Sequence, residues 1–234
     1  HTSRDDRFSA LRQAWLDGLL TLRIPGGGFR KFPTLIDPAP YSDGEAWLAL
    51  AVYHRQFPRD KRVAEMLASV DKSLLEIYGR DFTIDFYHWG TMAAAARYTD
   101  SKEAKFLDFI KKYTGAFLDS KQKLASYNDC AAAEGMADSL EALVSAGEGD
   151  SELAGRARAW IAREMTKTKA MQIGPGQKEM VFANARVFAP RLKEYTGSFL
   201  TDRYEMKTQV DNTSHCVSAM IKLQRQQKPK LKNP

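Results

Sequence analysis

The chain alternates between two apolar patterns, and both have the period of an α-helix. In the first, alanine and glycine crowd a stretch that follows a polar or aromatic start, as in residues 88–100 and 128–150. In the second, apolar residues recur three and four positions apart among charges, as at Phe106, Ile110 and Tyr113. Such a one-sided stripe is typical of a helix that covers a core, whereas small residues let helix backbones approach closely. The patterns therefore predict inner helices wrapped by outer ones.

These patterns recur at a regular interval. Asp43, Asp129 and His215 are equally spaced along the chain, and Cys130 and Cys216 share the same interval. This interval is 86 residues, and half of it, about 43 residues, is a length typical of a repeat made of two helices. Each unit has a polar start, an alanine-rich helix, a short turn and an amphipathic, charged helix. The sequence thus predicts an all-α fold, built as an array of antiparallel helical hairpins.

The units can be assigned along the sequence. The predicted hairpins span 43–79, 88–119 and 128–170, a last inner helix spans 211–226, and an opening helix spans 5–22. Glycines and prolines between residues 174 and 197 interrupt helical continuity. Only residues 179–188 and 198–210 alternate in polarity there, so the evidence for strands is weak.

Composition and charge narrow the class of protein. A length of 234 residues fits one domain, and 44% hydrophobic with 27% charged residues is ordinary for a soluble globular protein. No stretch approaches the roughly 18 apolar residues of a membrane span. The net charge of +6 favours anionic partners, but no nucleic-acid motif supports a nucleic-acid partner. We predict one domain over residues 1–225 and a basic, disordered tail over 226–234.

The two cysteines and the N-terminal residues do not determine the cellular compartment of the protein. Two cysteines are too few for a disulfide scaffold and fit no zinc spacing. Cys130 can be interpreted as a nucleophile with His215 as its base, or as a small buried hydrophobe. The matching position of Cys216 favours the second interpretation. The first residues contain no apolar signal region, so a periplasmic or extracellular protein with its signal peptide removed is one option.

Residues 41–55, 127–143 and 197–223 resemble the helical repeats of (α/α)-toroid proteins. The nearest resemblance is to the six-hairpin group of unsaturated uronyl hydrolases, polysaccharide lyases and the helical domain of uronyl C5-epimerases. Terpenoid-cyclase-like toroids are more distant. The resemblance implies an incomplete toroid, because only about four inner helices are visible, with an open groove or a protein partner that completes it. It is more specific for the fold than for the reaction, since one toroid hosts many chemistries.

Inner helices of a hairpin array run in the same direction, so their polar starts should meet at one end. Free amide groups and the positive helix dipole there favour an anionic ligand such as a uronate carboxylate. Carboxylates, histidines and tyrosines at these starts suit acid–base chemistry. The candidate catalytic residues are Asp43, Glu45, His88, Tyr127, Asp129, Glu134 and His215. No metal and no cofactor are predicted.

Aromatic, amide and charged residues nearby are candidates for binding a sugar. The candidate substrate-binding residues are Tyr41, Tyr87, Trp89, Asn128, Arg186, Asp211 and Asn212. Aromatic rings can stack on a pyranose, and Arg186 can hold a carboxylate with two hydrogen bonds.

Each candidate also has a purely structural explanation. Asp43, Asp129 and Asp211 stand where N-caps belong, and the tyrosines can pack in the core. Glu134 can pair with Arg186 or another cation. The two histidines, His88 and His215, have different offsets within the repeat, so they need not face each other.

The sequence predicts a carbohydrate-active protein that acts on an acidic poly- or oligosaccharide in a cleft at the inner-helix N-termini. A glycoside hydrolase, a polysaccharide lyase and a uronyl epimerase all remain open. The alternative is a non-catalytic scaffold that binds a glycan or a protein on the concave face of the array. A hydrolase should have two carboxyl groups roughly 5–10 Å apart across a cleft, whereas a scaffold should use these acids in caps and ion pairs.

Overall fold

The computed structural model describes residues 6–34, 39–120, 125–182 and 185–227, and these are mainly helical. The helices are α1 (Ser9–Thr21), α2 (Pro40–Gln56), α3 (Lys61–Arg80), α4 (Ile84–Ser101), α5 (Ala104–Ser120), α6 (Cys130–Ser145), α7 (Glu152–Ala170) and α8 (Val210–Gln227). Short 3-10 helices span Asp6–Phe8 and Leu192–Tyr195, and β1 (Glu179–Val181) pairs antiparallel with β2 (Arg186–Phe188). The predicted all-α class is confirmed. Of the predicted basic tail, residues 228–234 lie outside the described residues.

The helices form two layers around one main core. In the inner layer α2 packs against α4, α4 against α6, and α6 against α8. In the outer layer α3, α5 and α7 pack on α2, α4 and α6 respectively, and α5 also contacts α7. The predicted stripe on α5 is buried, with Phe106, Ile110 and Tyr113 fully enclosed. In the part of the chain that the structure describes, no helix is both long and apolar enough to cross a membrane.

The inner helices α2 and α4 run in the same direction. Near their starts, the rings of Tyr41 and Trp89 lie 6.0 Å apart. Near their ends, Arg55 Nε donates to Asp100 Oδ1 at 2.8 Å. The start of α6 likewise lies beside the starts of α4 and α8, so the N-termini of the inner helices gather at one end.

Glycines allow the inner helices to approach closely. A Cβ on Gly44 of α2 would lie 2.8 Å from the backbone nitrogen of Gly90 in α4. A Cβ on Gly135 of α6 would lie 2.9 Å from Thr91 Oγ1 and 3.0 Å from the carbonyl oxygen of His88. Real Cβ atoms essentially never make contacts as short as 2.8 Å, so glycine is required where these helices cross.

The expectation that three aspartates cap the inner helices needs correction. The N-cap of α2 is Ala39, which places Asp43 inside the first turn. Asp211 likewise lies in the first turn of α8. Asp129 is the N-cap of α6, but it makes no side-chain capping hydrogen bond within the described residues. Capping therefore does not explain why these positions are acidic.

A disulfide joins Cys130 to Cys216, with a Cα–Cα distance of 4.8 Å. It ties the first turn of α6 to the second turn of α8, and both cysteines are fully buried. A bonded cysteine is not a nucleophile, so that interpretation of Cys130 is wrong, whereas the interpretation of Cys130 as a buried apolar residue is confirmed. The regular spacing of the cysteines instead places them on adjacent inner helices.

Candidate active site

A buried glutamate lies between two histidines at the N-terminal end of the inner layer. Glu134 of α6 is 6% exposed, and its Oε2 lies 3.3 Å from His88 Nε2 of α4. The same oxygen lies 2.9 Å from His215 Nδ1 of α8. The two imidazole rings meet edge to face with their centroids 4.7 Å apart. Three successive inner helices therefore bring three of the predicted catalytic residues together.

The second oxygen of the same carboxylate is held from α8. Ser218 Oγ donates a hydrogen bond to Glu134 Oε1, and Lys222 Nζ lies 3.1 Å from that atom. Lys222 Nζ also lies 2.8 Å from Asp138 Oδ2, one turn further along α6. The cation that pairs with Glu134 is thus Lys222, which bridges two acidic residues. We call the following six residues the glutamate cluster: His88, Glu134, Asp138, His215, Ser218 and Lys222.

Burial and pairing act in opposite directions on the charges of this cluster. Burial alone would raise the pKa of Glu134, but hydrogen bonds from His215 and His88, with the charge of Lys222, hold that pKa far below its usual value. Burial lowers the pKa of His88, although its hydrogen bond to Glu134 opposes the shift. Burial raises the pKa of Asp138 to about 6 despite the neighbouring lysine. Near neutral pH, Glu134 is therefore ionised and His88 is neutral.

An aromatic surface connects the cluster to solvent. The Trp89 ring centroid lies 4.2 Å from the His88 ring and 5.6 Å from the His215 ring. Trp89 is half-buried, and Tyr41, which packs against its edge, is 49% exposed. The indole Nε1 is buried without a hydrogen-bond partner among the described residues. A ligand with one apolar face and one acceptor group would match this surface.

A groove along α8 borders the cluster on its other side. It has a volume of about 630 Å³, and its lining includes Ser218 and Lys222, both partners of Glu134. Val210, Val217 and Ile221 also line it and are exposed on the same helix. The carboxylate is therefore buried, but the hydroxyl and ammonium groups that hold it reach an accessible surface.

Asp43 makes a different set of contacts. Its Oδ2 accepts a hydrogen bond from the Tyr78 hydroxyl at 2.5 Å, and its Oδ1 accepts one from the backbone N–H of Phe29. A Cβ on Gly28 would lie 2.0 Å from Asp43 Oδ1, so only glycine fits there. Burial raises the pKa of Asp43, although these hydrogen bonds oppose the shift. Both oxygens thus fasten the loop before α2 to the outer helix α3.

Two further candidates differ in burial. Glu45 is exposed on α2. Tyr87 is 1% exposed, stacks on Phe117 at 4.0 Å and donates its hydroxyl to Met136 Sδ at 3.4 Å. Burial raises the pKa of Tyr87 above its ordinary value. The ring of Tyr87 has no face open to a sugar, so the core-packing explanation accounts for it.

The loop before α6 is fixed by a buried ion pair on α7. Lys167 Nζ lies 2.8 Å from Glu164 Oε2 and donates to the carbonyl oxygen of Tyr127 at 2.6 Å. Glu164 Oε1 accepts from the backbone N–H of Asp129 at 3.0 Å. Asn128 is buried and hydrogen-bonds one backbone group at the start of α6 and one in the segment between β2 and α8. The Asn128 side chain and the backbones of Tyr127 and Asp129 therefore position α6.

The remaining binding candidates lie on the surface. The Arg186 side chain is 76% exposed on β2, 3.9 Å from Glu179, so it is not the partner of Glu134. Asp211 is exposed in the first turn of α8, and its Oδ1 accepts from the backbone N–H of Asn212. Asp211 and Asn212 share their helix with His215, but nothing in their hydrogen bonding includes Glu134.

Sequence reasoning missed half of the glutamate cluster. Asp138 follows Glu134 by one helical turn, and Ser218 and Lys222 follow His215 at helical spacing. Residues three and four positions apart share one helix face. Projecting the helices around the two strongest candidates would therefore have identified all three missed residues.

Comparisons of the chain with protein-family models, with curated proteins and with solved structures found no match. The chemistry of the site must therefore be inferred from its own residues. A buried carboxylate in contact with two imidazoles can orient a histidine for proton transfer. The same donor set can also coordinate a cation.

Proposed function

We propose that the chain is an enzyme that acts on an acidic poly- or oligosaccharide, with His88, Glu134 and His215 at its reaction centre. The fold proposed with this function is an incomplete (α/α) toroid, with α2, α4, α6 and α8 as its inner helices. The observation that carries the proposal is the convergence of two imidazoles on one buried carboxylate beside Trp89. This convergence lies where the positive ends of the inner helices favour an anionic ligand.

Among the three reactions, proton abstraction fits the geometry better than hydrolysis. A glycosidase needs two carboxyl groups roughly 5–10 Å apart on opposite sides of the bond. Asp138 is on the same helix as Glu134, and Lys222 bridges the two. Asp43 has both oxygens engaged by anchoring contacts. Removal of the proton beside a uronate carboxylate, which leads to β-elimination or C5-epimerisation, requires one base instead of a carboxyl pair.

The residues of the cluster suit the roles in such a reaction. Glu134 accepts from Nδ1 of His215, which leaves Nε2 of His215 as the nitrogen that takes the proton. The ionised carboxylate then stabilises the imidazolium that forms. Lys222, on the groove side, supplies positive charge for the substrate carboxylate. The rings of Trp89 and Tyr41 offer stacking surfaces to the sugar.

The test is turnover of uronate-containing polysaccharides in deuterated water. Elimination yields an unsaturated, ultraviolet-absorbing end, and epimerisation yields deuterium at C5 without chain cleavage. Glu134→Gln and His215→Gln should each abolish product formation, since they remove the base or its orienting group. His54→Gln is the matched control, because His54 lies in the last turn of α2. Cleavage by addition of water, without deuterium at C5, would contradict proton abstraction.

A second candidate function is a non-catalytic scaffold that holds a glycan or a protein. The observation that favours it is the row of exposed apolar residues along α8, of which Val210 is 87% exposed. A protein partner that completes the toroid would cover this edge. A glycan that stabilises the chain but is recovered unchanged, equally with wild type and with His215→Gln, would support the scaffold.

A further inference from the structure

We propose that His88, Glu134 and His215 form a binding site for a divalent transition-metal ion, with Zn²⁺ as the best match. The three potential ligand atoms are His88 Nε2, Glu134 Oε2 and His215 Nδ1, and all lie within 4.8 Å of one another. Two imidazoles and one carboxylate are a donor set used by catalytic zinc sites, which keep a fourth position open. The same set also binds non-haem iron.

The spacing of the carboxylate oxygen from both imidazole nitrogens matches a metal site. With metal–ligand bonds of about 2.0–2.1 Å and ordinary coordination angles, neighbouring ligand atoms lie about 2.9–3.4 Å apart. Glu134 Oε2 lies 2.9 Å from His215 Nδ1 and 3.3 Å from His88 Nε2, which are both in this range. The two imidazole nitrogens are within 4.8 Å of each other, so the rings would have to move together for both to bind one ion.

The residues around the carboxylate orient it for a single metal bond. Ser218 and Lys222 hold Oε1 of Glu134, so Oε2 is the oxygen that faces both histidines. Asp138 in turn holds Lys222. Such outer contacts fix the direction of a ligand and commonly change metal affinity by about 10–100-fold when they are removed.

Rigidity and charge also favour a cation. Each ligand projects from a different inner helix, and the disulfide between Cys130 and Cys216 ties α6 to α8 beside the site. Because these cysteines are bonded, they do not compete for the metal as thiolates. Glu134 and Asp138 supply two acidic groups against the one ammonium group of Lys222.

This proposal goes beyond the proposed function and does not depend on it. A metal site can exist whether or not the chain converts a glycan. If both hold, a bound metal would supply Lewis acidity or an activated water at its open position. The histidine nitrogens that face Glu134 would then act as ligands, and His215 would carry its proton on Nε2, so an activated water would replace His215 as the base.

The test uses the full chain after removal of metals with a chelator. We expect titration calorimetry with zinc chloride to give one ion per chain, and cobalt chloride to give the visible absorption of a nitrogen-ligated Co²⁺. Glu134→Gln, His88→Gln and His215→Gln should each weaken Zn²⁺ binding by more than 100-fold and remove the cobalt spectrum. His54→Gln should bind like the wild type. Ser218→Ala, which leaves all three ligands in place, should weaken binding by about 10-fold or more.

Folding of each variant is checked by circular dichroism, and Ser218→Ala keeps the test decisive if a ligand variant fails to fold. Unchanged binding in Glu134→Gln, or absence of binding to the wild type, would overturn the metal site. Glycan conversion after chelation separates the two proposals. Conversion that persists without metal, with no Zn²⁺ binding, would overturn the metal site and leave the proposed function intact. Zn²⁺ binding without any glycan conversion would overturn the proposed function and leave the metal site intact.

Discussion

Two buried acids, each within the first turns of an inner helix, have different surroundings. Asp43 on α2 is held by neutral donors, the Tyr78 hydroxyl and the backbone N–H of Phe29. Glu134 on α6 meets two imidazoles and the ammonium group of Lys222. The first carboxylate fastens a loop to the outer layer, whereas the second joins three inner helices beside a groove. Burial of an acidic residue therefore does not by itself identify a functional site. A functional site is indicated by partners that can change their protonation state or that can bind a metal ion together with the acid.

The largest loss of stability should come from removal of the disulfide, which lies only on the Glu134 side. Cys130→Ser with Cys216→Ser opens a loop with a sequence separation of 86 residues. The loop-entropy relation predicts a fall in the free energy of unfolding of about 4.6 kcal/mol. Urea denaturation measures it, and reduced wild type should behave like the double variant. A change below about 1 kcal/mol would contradict this role.

The next largest loss of stability should come from a substitution that places an extra atom against Asp43. Gly28→Ala places a Cβ against the buried carboxylate, so it should lower the free energy of unfolding by about 2–3 kcal/mol. Gly18→Ala is the matched control, because its Cβ would meet no heavy atom within 4 Å among the described residues. In the middle of α1 that change should stabilise by about 0.5–1 kcal/mol. Equal effects of the two substitutions in urea denaturation would refute the anchoring role of Asp43.

Removing the hydroxyl group that donates a hydrogen bond to each carboxylate compares the two regions directly. Tyr78→Phe deletes the donor to Asp43 Oδ2 and should cost about 2 kcal/mol, as for a hydrogen bond to a charged group. Ser218→Ala should cost about 1 kcal/mol, since Glu134 keeps Lys222 and both histidines. Thermal unfolding measures both. The reverse order of stability losses would mean that Glu134 depends on its serine more than on its cations.

The stability of the Glu134 side should also depend on pH. The folded-state pKa of Asp138 is raised to about 6 from 3.8, so its protonated form is favoured in the folded chain. Its contribution to stability is full below the unfolded pKa and is lost as pH rises through the folded pKa. Asp138→Asn should therefore flatten the decline in stability between about pH 4 and pH 7. A variant that follows the wild-type curve across this range would contradict the shift.

Much of the secondary structure could be predicted because it depends on local patterns. The inner helix predicted over 211–226 corresponds to Val210–Gln227, and the Ala-rich stretch at 128–150 contains Cys130–Ser145. The secondary structure between residues 174 and 197 was harder to predict, because β1 and β2 are only three residues long each. Strands that short carry too few residues for an alternating pattern to distinguish them from loop.

The sequence predicted that the candidate residues lie at the inner-helix N-termini, but it gave them as an unranked list. His88, Glu134 and His215 stood beside Glu45 and Tyr87, which the structure places on the surface and in the core. Helical periodicity fixes which residues share a face, but it does not say which face meets a neighbouring helix. That is why the ranking within the list could not be made from sequence.

The sequence by itself determined the all-α class, the alternation of inner and outer helices, and the small residues where inner helices approach. Each of these follows from neighbours within a few turns. Only the tertiary structure decided that Glu134 meets His88 and His215, which are 46 and 81 positions away. The close crossings at Gly44 and Gly135 set the rotation of each inner helix about its axis. That rotation decides which polar side chains meet, and it depends on packing between helices that are distant in sequence.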